Sequence, residues 1–210
     1  MPEKAPSLVG AACQLIGRGR ESSPPFLEVP SYGKIRQFGG KYPVTPRSHK
    51  TQEGKVISKR MIVLYYSGSG NTQKMANTIA EAARSDLLDV KVESVERFNV
   101  SLLPDYDAVV LGSPTYFSNI AWPVKKLIDE SIIHYNKGQL KGKVAGIFTS
   151  SGTARDGKDC LKMLEIALGF HHRMKVMEGI MRSAEEGDEE AEKRCREYGK
   201  RLAKEVEKEL

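Results

Sequence analysis

The stretch Met61-Ile62-Val63-Leu64-Tyr65-Tyr66-Ser67-Gly68-Ser69-Gly70-Asn71-Thr72 decides how this chain folds. It opens as an apolar run, passes into small and hydroxylated residues, and is followed at once by a helical pattern. A continuous apolar run marks a strand buried on both faces. A turn of this kind between strand and helix can wrap its backbone N–H groups around a phosphate, and the helix end adds unpaired amides and its dipole. Gly68 and Gly70 permit close backbone approach, while Ser67, Ser69, Asn71 and Thr72 supply neutral hydrogen-bonding groups. No Lys or Arg lies in the loop. That favours a phosphate monoester over a triphosphate–magnesium site.

Strand and helix patterns alternate from there on. Ile62–Tyr66 reads as the first strand, followed by a helix that Asn71 or Thr72 can cap, with Met75, Ile79 and Ala82 or Ala83 on one stripe. Further strands are expected at Asp89–Val95, Ala108–Leu111, Lys143–Phe148 and Met174–Ile180. Pro123 suits the first turn of a helix carrying Val124, Leu127, Ile128 and Ile132 inward. Leu161, Leu164 and Leu168 mark another helix. A last one is expected from Ser183, with Ala191, Cys195, Tyr198, Leu202 and Val206 inward and its early acids complementing the dipole. Five strands alternating with helices imply an α/β parallel sheet covered on both faces. Ligands of such sheets sit beyond the carboxyl ends of the strands, at the switch point. Those ends are the loops 67–72, 113–122 and 149–158.

The first loop fits no common charged phosphate binder. No Gly-Lys-Ser/Thr ends it, and Gln73 stands where a dinucleotide fingerprint needs its third glycine. What remains is a neutral cradle for a mononucleotide. The second loop carries Pro114, Thr115, Tyr116, Phe117, Ser118, Asn119 and Trp122. Its aromatics could stack on a flat ring, or Phe117 and Trp122 could pin the loop to the sheet or to a partner subunit. In the third, Ser150, Ser151, Gly152 and Thr153 could close the far side with hydroxyl and amide groups.

The formal charge of +6 is uneven. Residues 1–60 carry 11 Lys and Arg against 4 acids, whereas 61–210 carry 22 against 23. The basic excess therefore belongs to the first segment and gives no reason to expect nucleic acid on the folded part. Residues 1–60 hold most of the ten prolines and show no sustained period. They read as a flexible or loosely docked extension, with a basic arm or a misplaced upstream start as the other readings. The domain proper is expected at 61–210. Cys13, Cys160 and Cys195 are sparse and form no Cys-x-x-Cys, which suits a reducing cytoplasm and packing roles. No apolar run approaches the ~20 residues that would span a bilayer.

Residues 61–210 resemble the flavodoxin-like superfamily, with Tyr66-Ser67-Gly68-Ser69-Gly70-Asn71-Thr72 matching its phosphate loop. Gly112-Ser113-Pro114-Thr115-Tyr116-Phe117-Ser118-Asn119, Phe148-Thr149-Ser150-Ser151-Gly152-Thr153 and His171-His172 resemble its tryptophan-repressor-binding-protein type of NAD(P)H:quinone oxidoreductase. The resemblance implies a three-layer sandwich of strand order 2-1-3-4-5 and bound FMN. Ser67 to Thr72 would hold the phosphate, Pro114 to Asn119 would line the ring, and Ser150 to Thr153 would complete the pocket. It also implies that His171 or His172 acts near the cofactor. NAD(P)H and a quinone are the expected partners, with a protein redox partner as the alternative, and a dimer or tetramer is compatible with the aromatic loop. Two departures stand out. Tyr116 replaces the usual Arg, and the final part lacks the segment that splits the last strand in long-chain members. His49 and His134 receive no role.

Overall fold

The computed structural model describes residues 59–208. The expectations for the basic segment lie, up to residue 58, outside the described residues. The chain runs β1 (Lys59–Tyr65), α1 (Asn71–Ala83), β2 (Leu88–Ser94), a 3₁₀ turn (Val100–Asp105), β3 (Ala108–Tyr116) and β4 (Asn119–Ile120). It continues through α2 (Trp122–Glu130), α3 (Ile132–Tyr135), β5 (Val144–Ser151) and α4 (Ala154–Glu165), which passes into a π-helical turn at Ile166–His171. β6 (Lys175–Val176), β7 (Ile180–Ser183) and α5 (Asp188–Glu207) complete it.

The parallel sheet has the order β2-β1-β3-β5, with β6 and β7 sharing the position beyond β5. This is the expected 2-1-3-4-5 arrangement. Successive strand residues point to opposite faces, and both faces are covered. Met61, Val63, Val110 and Phe148 pack with Ile79 of α1 and Tyr198 and Leu202 of α5. Ile62, Leu64, Val109, Leu111 and Ile147 pack on the other side with Val124 of α2 and Leu164 of α4. Burying one such aliphatic side chain contributes roughly 1.5–3 kcal/mol, so the central strands anchor three layers at once.

Several elements depart from expectation. β3 and β5 run on to Tyr116 and Ser151, through residues expected to be loop. The buried hydroxyls of Ser113 and Thr149 find backbone partners there: Thr149 Oγ1 donates to Ser113 O at 2.6 Å, and Ala121 N donates to Ser113 Oγ at 2.9 Å. Ile132 faces solvent, not the core. The Ser131 hydroxyl bonds back to Ile128 O at 2.6 Å, α2 stops at Glu130, and the chain turns before Ile132. Ser183 ends β7, and α5 starts only at Asp188.

The fifth strand position is broken. Ala145 pairs with Val176 and Phe148 with Ile180, so two β5 residues face three on the other strand. This is a one-residue bulge, and no inserted segment is needed to split the strand. Met177 N still donates to Ala145 O at 2.8 Å. Ile147 N instead donates at 2.9 Å to the hydroxyl of Tyr198, a fully buried side chain of α5. Burial pushes that phenol up to about 12, so it stays protonated. Tyr198→Phe leaves the Ile147 amide without this acceptor and is expected to destabilise the domain by about 1–3 kcal/mol. Urea unfolding measures this, and a change below about 0.5 kcal/mol would contradict the role given to the hydroxyl.

Candidate functional site

The carboxyl ends of β1, β3, β5 and β7 meet around one cleft of about 230 Å³. It is lined by Ser69 and Asn71 from the first loop, Pro114, Thr115 and Tyr116 from β3, Ser150, Ser151 and Gly152 from β5 and its loop, and Arg182, Ser183 and Ala184 after the last strand. Thr72 Oγ1 and Ser150 Oγ lie 2.8 Å apart, and so do Thr115 Oγ1 and Thr149 Oγ1. These hydroxyl pairs lock the three segments together, so the cleft is pre-shaped.

The first loop closes on itself just ahead of a helix whose start carries no side-chain cap. Gly70 is the residue before α1 and has φ +90°, the left-handed region where a side chain is strained. Its N–H donates to Ser67 Oγ at 3.0 Å, closing the loop. Contrary to expectation neither Asn71 nor Thr72 caps α1: Gly70 holds the cap position, the Asn71 side-chain carbonyl is taken by Arg182 and the Thr72 hydroxyl by Ser150, and the first turn carries no acid. The leading amides of a helix have no intrahelical acceptor, so this end presents N–H groups beside the cleft. α4 differs: Thr153 Oγ1 accepts from Asp156 N at 3.2 Å, and Asp156 puts a carboxylate in its first turn. Of these two helix starts only that of α1 is open, the arrangement whose dipole and free amides favour an anion. Gly68 lies under Tyr116, whose hydroxyl would be 2.6 Å from a Cβ placed there.

The aromatic segment forms a hairpin, a feature not expected from sequence. β4 pairs antiparallel with β3, and Phe117 and Ser118 at the tip have φ of 50° and 59°. Two positive values in a two-residue tip define the turn that fits strand twist, here without glycine. Ser118 Oγ donates to Asp156 Oδ1 at 2.7 Å, latching the tip to α4, and this bond holds the Asp156 carboxyl below its usual range. Asn119 Oδ1 accepts from Ile120 N. Phe117 is fully exposed and Trp122 is 72% exposed, so neither pins the loop onto the sheet.

His171 and His172 are not brought to the cleft. They lie before Lys175, which pairs with Val144 at the amino end of β5. The eight residues of that strand put roughly 23 Å between this end and Ser151. His171 stands edge-on to Tyr135 and Phe170, and His172 Nε2 is 2.7 Å from Ser131 Oγ. His134 is also buried, with its ring nitrogens 2.8 Å from Gln139 Oε1 and 2.9 Å from Val100 O. His172 and His134 are packing histidines, whereas His171 is exposed. Desolvation first, then the neighbouring His134 and His171, hold the His172 pKa below its ordinary 6.5. The unfolded chain therefore takes up a proton first as pH falls. Stability due to the neutral ring is complete above the unfolded value and is lost as pH falls from about 6.5 toward the folded value. Thermal melts from about pH 7.5 to 5 should show a decline that is shallower in His172→Gln. Parallel declines would refute the assignment.

Sequence reading missed Arg182. Its Nη1 donates to Asn71 Oδ1 at 3.0 Å, its Nη2 pairs with Asp188, and its side chain is only 17% exposed. The signal was its place at the carboxyl end of the last strand, the edge that carries all three loops.

A doubly wound parallel sheet with an uncapped helix end and a hydroxyl-lined cleft at its switch point is the architecture of a mononucleotide-binding protein. The chain belongs to the Flavodoxin domain family, whose match covers residues 62–185. It is similar to an NAD(P)H dehydrogenase (quinone) of Sinorhizobium fredii, at 32% identity over 138 residues, covering 56% of this chain and 69% of that protein. It is also similar to a flavodoxin of Aquifex aeolicus, at 29% identity over 158 residues, covering 69% and 85% respectively. Among solved structures, a WrbA-like flavodoxin from Agrobacterium tumefaciens superposes with a TM-score of 0.60 at 26% identity, covering 72% of this chain and 99% of that one. Among the described residues no helix is long and apolar enough to cross a membrane.

Proposed function

We propose that this domain binds FMN in the switch-point cleft and works as an NAD(P)H-dependent quinone reductase. The observation that carries the reading is the uncapped, acid-free start of α1 opening beside a cleft of hydroxyl and amide groups. The donor set fits a phosphate monoester: the loop is neutral, and the nearby Arg182 is already paired with Asp188. Ser67 to Thr72 would hold the phosphate. Pro114 to Asn119 would line one side of the ring and Ser150 to Thr153 the other, with Tyr116 over Gly68 supplying aromatic surface. FMN, when bound, supplies the electron-accepting ring. The chain's own contribution is to fix that ring and shield it. The Thr115–Thr149 and Thr72–Ser150 pairs keep the walls from spreading, and the Ser118–Asp156 latch fixes the rim. His171 and His172 receive no proton-transfer role in this reading.

A second reading is an electron carrier for a protein partner. It is favoured by Phe117 and Trp122, which stand exposed beside the cleft as a docking surface for a redox protein or a second copy of the chain. The sparse cysteines support a cytoplasmic location for either. Titrating the full-length protein with FMN, followed by quenching of flavin fluorescence, tests the cofactor. Saturable one-to-one binding is expected, and no binding would overturn both readings. NAD(P)H oxidation is then followed with several quinones. Steady turnover supports the reductase, whereas FMN binding without turnover leaves the carrier.

A further inference from the structure

We propose that Arg182 is a positioning residue that fixes the Asn71 side-chain amide as a phosphate donor, making the cleft selective for FMN over its dephosphorylated form. The inference rests on the FMN reading above and deepens it. A guanidinium has donors and no acceptor, so the Asn71 atom facing Arg182 Nη1 at 3.0 Å must be the carbonyl oxygen. The NH₂ group of that amide then occupies the other edge. Asn71 is the first residue of α1, beside the helix amides, and both it and Arg182 line the cleft. With Arg182 absent, the amide could turn over and present its oxygen, an acceptor that repels a phosphate.

The guanidinium is itself held from outside the loop. Asp188 opens α5 and pairs with Nη2, with Lys74 Nζ 4.0 Å from the same carboxylate. Three separate chain segments thus converge to orient one neutral side chain: the start of α1, the end of β7 and the start of α5. An arginine satisfied in this way acts through Asn71, and its planar two-armed geometry is what a lysine cannot reproduce.

The test compares FMN and riboflavin affinities of the full-length protein by fluorescence quenching. Arg182→Met is expected to weaken FMN about tenfold and leave riboflavin unchanged. Asn71→Ala should lose a similar amount, and the double variant should lose no more than the worse single one, because both remove the same donor. Additive losses would mean that Arg182 acts independently of Asn71 and would overturn the proposal. So would unchanged FMN affinity in Arg182→Met, or an equal loss for both ligands. Should circular dichroism show Arg182→Met unfolded, Arg182→Lys carries the test: a selective loss of about threefold supports the proposal, and full FMN affinity overturns it. Wild-type protein that binds neither ligand would remove the FMN reading itself. Wild-type binding with variants that match it would remove only the role of Arg182.

Discussion

Gly112→Val is expected to yield no cooperatively folding domain, and Gly112→Ala a domain destabilised by about 3 kcal/mol. Gly112 sits in β3 between Tyr65 of β1 and Phe148 of β5. A Cβ on it would lie 2.1, 2.2 and 2.6 Å from three atoms of the Phe148 ring. That ring is fully buried in the cluster shared with α1 and α5. It has nowhere to retreat without moving a helix, because packed interiors hold few voids. The glycine therefore makes room for the aromatic ring across two neighbouring strands. Urea unfolding of Gly112→Ala provides the measurement, and a loss under about 0.5 kcal/mol would show that the ring yields freely. Combining it with Phe148→Leu should recover part of the loss, since the smaller side chain vacates the contested space.

Ser69→Asp is expected to weaken FMN at least about a hundredfold, and riboflavin far less. Two unit charges ~4 Å apart interact by about 4 kcal/mol at an effective dielectric constant of 20, and a hundredfold change in affinity requires only ~2.7 kcal/mol. Ser69 lines the cleft immediately before Gly70, so a carboxylate there meets the helix end proposed to take the phosphate. The ligand-free protein should move the other way. An acid beside the uncapped, acid-free start of α1 stabilises it by ~0.3–1 kcal/mol. A variant that melts higher yet rejects FMN would separate anion recognition from damage to the fold. Equal loss of FMN and riboflavin would contradict the placement of the phosphate.

Sheet order and central core were legible because apolar runs such as Ile62–Leu64 and Val109–Leu111 leave few ways to hide both faces. Much of the cleft was legible too, since Gly70 and the hydroxyls around it sit at a strand-to-helix junction. Strand lengths were not. Ser113, Thr115, Thr149 and Ser151 read as loop by composition, yet their hydroxyls meet partners supplied by neighbouring strands, by Ala121 ahead of α2 and by the turn after β5. The hairpin tip was missed because Phe117 and Ser118 lack the glycine or asparagine that usually announces positive φ. Placing His171 and His172 near a cofactor came from resemblance alone. The pairing of Lys175 with Val144 sets them at the opposite end of the sheet. Arg182 and Asn71 are 111 positions apart, and no local pattern joins them.

The surplus residue between Val176 and Ile180 works as a phase shifter. Val176 packs with the α2 and α4 side, and even-numbered residues beyond it would keep that side in an unbroken strand. After the extra residue, Ile180 faces the α1 and α5 side, and Arg182, two positions on, follows it toward Asn71 and Asp188. Removing one residue there would reverse that parity and aim the guanidinium away from both, whereas removing two would preserve its heading. The irregular stretch of the last strand thus encodes, in chain count alone, where the site's nearest cation points.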